Sequence, residues 1–161
     1  DVGCESSRPG SKPISEDNEL SRLSKFLNNQ DILPKILSID TYKPKVARFA
    51  LKNGFNMIND IKSGCDNNLM LKLAAEYDCP IILMHMKGVP ATMQDNPFYE
   101  NILDDIKYFF ENKLKAAQSF GIKRDNIYYI LSLFDLFLVY SSQYMVKINP
   151  HVRNIDRIYY I

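Results

Sequence analysis

Charge of one sign is missing from this sequence: its 20 Lys and Arg residues are interspersed with 19 Asp and Glu, leaving a net charge of +1. Without a basic stripe there is no field to draw in a phosphate backbone or an anionic lipid surface, so neither nucleic acid nor membrane is an expected partner. Thiol and imidazole are scarce too. Cys4, Cys65 and Cys79 fall at no paired short spacing, and His85 and His151 are the only histidines. That inventory offers neither a zinc pattern nor a disulfide framework; each cysteine reads as a small buried hydrophobe, in a reducing and by expectation cytoplasmic setting.

Long apolar runs are absent as well. The longest, Ile127 to Tyr140, is shorter than a bilayer span and carries Asp135 inside it. No secretory or transit segment is visible. Glycine is lacking after Gly121, which takes the easiest sharp turns out of the remaining chain. The stretch from Tyr128 to Ile148 is aromatic and nearly uncharged, with neither clean alternation nor a clear helical face; exposed, such a segment is prone to aggregate.

What is present is alternation. Ser15 to Asn29 predicts a helix with Leu20, Leu23, Phe26 and Leu27 on one face and acids in its first turn. Ile36 to Asp40 is a short apolar run suited to a buried strand. Pro44 then opens a helix that runs to about Asn53 and stops at Gly54. Phe55 to Ile61 predicts a strand, Asn67 to Asp78 a helix with Leu69, Leu73 and Tyr77 inward, and Pro80 to His85 a strand. Asn101 to Phe120 is the strongest helix, with Ile102, Ile106, Phe109, Phe110, Leu114 and Ala117 at helical spacing and Gly121 as its stop. Strands apolar along their whole length are covered on both faces, which predicts an α/β protein with a parallel sheet. Periodicity leaves a barrel and an open doubly wound sheet equally placed.

In either architecture a ligand site lies at the carboxyl ends of the strands. The polar residues expected there are Asp40, Asn59, Asp60 and His85, together with the Gly- and Pro-containing opening from Asp1 to Gly10. Each has a plainer reading: Asp40 as a helix cap, Asn59 as a partner for turn backbone, His85 as a hydrogen-bonded strand end, Arg8 as a solvated loop charge. Asp104 and Asp105, at the start of the long helix, complement its dipole.

Four strings of residues resemble one family, the dihydropteroate synthases. DVGCESSRPGS is similar to that family's second-strand loop, SIDTYKPKVARFAL to its third strand and helix, and MINDI to its fourth strand. LMHMKGVPATMQDNPFY is similar to its fifth-strand signature. The strings occur in family order and at family spacing, and they cover residues 1 to about 126. The resemblance implies a partial (β/α)8 barrel, from the end of the second strand to about the start of the sixth, or roughly half of a barrel of about 250 residues. By the same resemblance residues 1–126 would form its pterin-binding unit, and residues 127–161 would be a divergent aromatic and apolar tail without family resemblance.

The resemblance further implies condensation of 6-hydroxymethyl-7,8-dihydropterin diphosphate with p-aminobenzoate, with Mg²⁺ as cofactor and a homodimer for the complete enzyme. Asp40 would bind the pterin ring and act in catalysis. Asn59 would complete recognition of the pterin edge, and Met84 would pack on its face. Ser7, Arg8 and Pro9 would meet the diphosphate and enclose p-aminobenzoate. No metal ligand is assigned, because the family's first-strand Asn has no counterpart here.

The sequence also departs from the pattern. Cys4 replaces the second glycine of a Gly-Gly pair, which would strain a backbone needing positive φ. The sixth-strand string Leu-Asp-Pro-Gly, the seventh-strand Ser-Arg-Lys and the eighth-strand Arg-x-His do not occur. The isolated chain is therefore expected to be inactive. The competing expectation is a non-catalytic remnant with a frame-altered tail. A methyltetrahydrofolate-binding methyltransferase domain also uses Asp and Asn at strand ends, but SSRPG together with MHMKGVPATMQ is not expected there.

Overall fold

The computed structural model describes residues 1–6, 11–29, 35–64, 67–85, 101–131 and 158–159. Strand and helix alternate: β1 (Val2–Gly3), α1 (Glu16–Asn28), β2 (Ser38–Asp40), α2 (Pro44–Lys52), β3 (Met57–Asp60), α3 (Leu69–Glu76), β4 (Ile81–His85), α4 (Ile102–Ser119), a 3₁₀ turn (Arg124–Asn126), β5 (Ile127–Leu131) and β6 (Ile158–Tyr159). The strands form one sheet in the order β1-β2-β3-β4-β5-β6, every neighbouring pair parallel. A doubly wound sheet reverses its strand order at a switch point, whereas a barrel adds each strand beside the last. This sheet never reverses, and it is part of a (β/α)8 barrel.

The alternation of side chains along each strand explains the two layers. Ile39, Ile58, Ile81, Leu83 and Ile127 point toward the helices and are 2 % exposed or less. They pack with Leu23, Val46, Ala50, Leu71, Phe110 and Ala117 in one continuous core. Each such side chain contributes about 1.5–3 kcal/mol by leaving water. Ser38, Asp40, Met57, Asn59, Ile82 and Met84 alternate with them on the opposite, barrel-interior face.

The helix ends follow local chemistry. Ser15 caps α1, its hydroxyl accepting from the Asn18 amide at 3.3 Å. Asn101 caps α4 through the Leu103 and Asp104 amides, and Asp104 and Asp105 occupy the first turn as predicted. Gly54 and Gly121 follow α2 and α4 at φ values of 96° and 88°, where a side chain would be strained.

Two expectations need correcting. α3 begins at Leu69, not Asn67, because Asn67 and Asn68 both adopt the left-handed conformation, with φ of 55° and 56°. Leu69 consequently sits in the first turn facing outward and is 46 % exposed; Met70, Leu71, Leu73 and Ala74 are the inward set. β2 is also shorter than the apolar run suggests, and Ile36 lies outside it at 73 % exposure. Among the described residues no helix is long and apolar enough to cross a membrane.

Candidate functional site

Parallel pairing sets the candidate residues side by side. Gly3 is the register partner of Asp40, and Asp40 of Asn59. Asn59 in turn pairs with Ile82, and Met84 follows two residues later on β4. Asp40, Asn59 and Met84 therefore share one face at the carboxyl end of the sheet. Ser7, Arg8 and Pro9 lie outside the described residues, as do Cys65 and the Met86 to Tyr99 part of the fifth-strand string.

Asp40 does not cap α2: the cap residue is Lys43, which makes no side-chain capping bond, and the Lys43 amide donates instead to Thr41 Oγ1 at 3.2 Å. Asp40 lines a small cleft together with Glu5, Glu19 and Tyr42. Gly3 opposite leaves room for it; a Cβ there would stand 3.2 Å from Asp40 Oδ2. The need for a small residue at Gly3 is thus one of space, since its φ is not positive.

Asn59 is 7 % exposed and does not serve turn backbone. Its Nδ2 donates to Asp1 Oδ2 at 3.0 Å, while Ser38 Oγ donates to Asp1 Oδ1 at 2.5 Å. Asn59 Oδ1 is buried with no hydrogen-bond partner among the described residues. A buried acceptor left unpaired costs about 1–3 kcal/mol, which a ligand donor would recover.

The two remaining polar strand-end residues point the other way, toward the helices. Asp60 accepts from the Lys62 and Gly64 amides at 2.9 and 2.6 Å and so shapes the turn after β3. His85 packs edge-on to Phe109, with ring centroids 4.9 Å apart. Ser63 ties the same turn to β4, its hydroxyl donating to the Met84 carbonyl at 2.7 Å.

Glu5 and Glu19, which share that cleft, belong to a buried ion cluster. Lys43 Nζ donates to Glu5, to Glu19 Oε2 at 2.6 Å and to the Ile14 carbonyl at 2.9 Å. Tyr42 donates its hydroxyl proton to Glu5 Oε1 at 2.8 Å. Burial pushes the Glu5 carboxyl up, but the Lys43 and Tyr42 hydrogen bonds and the Lys43 charge outweigh it and hold Glu5 below the usual range. Burial likewise pulls Lys43 down, and Glu19 and Glu5 more than reverse this, leaving it raised. Burial, reinforced by Glu5, raises the Tyr42 phenol.

Cys4 is not among the residues with positive φ, so the expected backbone strain is absent. Its thiol is half-buried and raised by burial and then by Glu19, and its carbonyl accepts from Arg22 at 2.9 Å. Burial pushes Cys79 to about 11, which makes it an inert packing residue. Among the described residues, no three His, Cys, Asp or Glu side chains are grouped to hold a metal ion.

Sequence reasoning missed Asp1, Ser38, Lys43, Glu5 and Glu19. Asp1 and Glu5 stand within a recognised motif, but their partners lie 37, 38 and 58 residues away. Only the charge of Glu19 on the apolar side of α1, four residues before Leu23, could have signalled a buried ion pair.

Comparison with known proteins places the fold and the sequence in one family. Residues 1–139 match the pterin-binding enzyme family. Dihydropteroate synthase of Streptococcus pyogenes serotype M1 is 40 % identical over 132 residues, which are 80 % of this chain and 46 % of that protein. The structure resembles Yersinia pestis dihydropteroate synthase in a sulfonamide complex, with a TM-score of 0.76 and 29 % identity over 89 % of this chain and 55 % of that one. It also resembles the Burkholderia cenocepacia enzyme complexed with 7,8-dihydropteroate, with a TM-score of 0.65 and 34 % identity over 80 % of this chain and 46 % of that one. The chain thus spans about half the length of these relatives. With its parallel barrel strands and this match over most of its length, the chain belongs to the pterin-binding enzyme family.

Proposed function

We propose that this chain supplies the pterin-binding half of a dihydropteroate synthase, the enzyme joining 6-hydroxymethyl-7,8-dihydropterin diphosphate to p-aminobenzoate. The observation that carries the reading is the pairing of Asp40 with Asn59 across two parallel strands, with a buried Asn59 oxygen still lacking a donor. A pterin edge offers a row of N–H donors and ring-nitrogen acceptors. A carboxylate beside an amide oxygen is complementary to the donors, and the charged member makes the stronger bond. Met84, on the same face, offers an apolar side chain to the flat ring.

In the reaction, the C–O bond at the pterin methylene breaks and diphosphate leaves with the electron pair. The aromatic amine nitrogen forms the new C–N bond and loses a proton. Positive charge grows on the pterin as the bond breaks, and Asp40 would offset it. Ser7 and Arg8 would meet the diphosphate, and Pro9 would help enclose p-aminobenzoate. Mg²⁺ belongs to this reading as an aid to diphosphate departure.

The test is calorimetric titration of the chain with 6-hydroxymethyl-7,8-dihydropterin. Saturable one-site binding is expected, weakened about tenfold or more in Asp40→Asn, the loss of one charge-assisted pair. Folded chain that shows no binding, or an Asp40→Asn variant that binds equally well, would overturn the proposal. Gly3→Ala gives a second check. Its Cβ would crowd Asp40 Oδ2, and the carboxylate must move by a few tenths of an ångström. Affinity is expected to fall severalfold while the thermal midpoint changes little. Unchanged affinity would mean that Gly3 does not set the position of Asp40.

A further inference from the structure

We infer that Asp1 is a positioning residue for pterin recognition: it orients the Asn59 amide so that the oxygen, and not the nitrogen, faces the ligand. The inference rests on the pterin-binding reading and adds a residue and a direction of hydrogen bonding to it.

The side-chain amide of Asn59 has a donor end and an acceptor end of nearly equal size, so shape alone does not choose between its two orientations. Its neighbour chooses. A carboxylate accepts only, and Asp1 Oδ2 lies 3.0 Å from one end of the amide; that end must be Nδ2. The carboxylate is itself held in place, because the Ser38 hydroxyl donates its single proton to Oδ1 at 2.5 Å. Both carboxylate oxygens are thereby used, each by a different strand, and Asp1 spans β2 and β3 from a third position beside β1.

The remaining end of the amide, Oδ1, is buried and without a hydrogen-bond partner among the described residues. Asn59 as a whole is 7 % exposed, so the oxygen is not simply solvated. Turning the amide over would bring its oxygen against a carboxylate and send the NH₂ outward. The site would then offer a donor where it now offers an acceptor, and a ring N–H would meet another N–H.

The test is a swap. Asp1→Asn, Asn59→Asp and the double variant are each titrated with 6-hydroxymethyl-7,8-dihydropterin, and Asn59 side-chain amide resonances are recorded by ¹H–¹⁵N NMR without ligand. In Asp1→Asn the new amide can serve only one of its two partners as Asp1 does, and affinity is expected to fall about tenfold or more. Asn59→Asp faces one carboxylate with another and weakens binding further. In the double variant, the residue-1 amide donates to a residue-59 carboxylate, which again presents an acceptor, and most of the affinity should return. A merely structural Asp1 gives no such rescue.

A double variant as weak as the worse single variant, or an Asp1→Asn variant that binds like wild type, would overturn the inference. If wild-type chain binds no pterin, the functional reading fails, and the amide resonances decide the orientation alone. Asp1→Ala should then shift both Asn59 amide protons and speed their exchange. Resonances indifferent to Asp1→Ala would overturn it.

Discussion

Supplied with pterin diphosphate, p-aminobenzoate and Mg²⁺, the 161-residue chain is expected to form dihydropteroate at least about 10³-fold more slowly than a full-length synthase. Two physical arguments lead there. Phosphate departure needs cationic groups aimed at the leaving oxygens, and the Ser-Arg-Lys and Arg-x-His strings of the resemblance do not occur in the sequence. The barrel interior also needs its other strands to exclude water and strengthen each polar contact. Among the described residues six parallel strands form part of that wall, with Asp40, Asn59 and Met84 on the interior face of β2 to β4.

Among the described residues β1 and β6 are the outer strands of the sheet, and edges left open can pair with other chains, so the isolated chain is expected to be poorly soluble, with a small soluble fraction after centrifugation. Steady-state product formation at a rate near that of a full-length synthase would show that residues outside these motifs supply the missing charges.

Lys43→Met is expected to cost about 3–5 kcal/mol of stability, measured by urea unfolding. The side chains of Lys43, Glu5 and Glu19 are 13 %, 9 % and 1 % exposed. Removing the ammonium leaves two carboxylates facing each other with little water to screen them, and the Ile14 carbonyl loses its donor as well. Against a typical total of about 5–15 kcal/mol, that loss unfolds much of the population. Lys43→Arg keeps the charge and should lose less.

The pH dependence has two arms. Glu5 is held below its ordinary value, so its contribution is present above about pH 4.3 and fades as pH falls through the lower folded value. Lys43 is raised, so its contribution is complete below about pH 10.4 and fades as pH climbs through the higher folded value. Both arms should flatten in Lys43→Met. A loss under about 1 kcal/mol would mean that the cluster is solvated in solution and behaves as a surface pair.

Much of the fold was legible because it rests on short-range signals. The apolar runs at Ile81 to His85 and around Ile39 and Ile58 are buried strands, and the inward set of α4 follows helical spacing. Gly54 and Gly121 stop helices where they should. Boundaries were less legible where backbone geometry overrode pattern: Asn67 and Asn68 look helical by neighbourhood, and their left-handed φ delays α3. Strand order was beyond periodicity, which describes one element at a time; it took pairing to separate a barrel from a doubly wound sheet.

The site divides in the same way. Asp40 and Asn59 were legible as polar residues ending apolar runs. Asp60 and His85 carry the same signal, yet they face the helices, because one step along a strand changes the face. The partners that orient the site, Asp1 and Lys43, were invisible because their value lies in contacts made across tens of residues.

The most direct test of the account is a crystal structure of the chain with 6-hydroxymethyl-7,8-dihydropterin. It should place the ring on the interior face of β2 to β4. Ring N–H groups should lie about 3 Å from the Asp40 carboxylate and from Asn59 Oδ1, with Met84 against the ring face. A ring bound elsewhere, or an Asn59 amide presenting its nitrogen to the ligand, would contradict it.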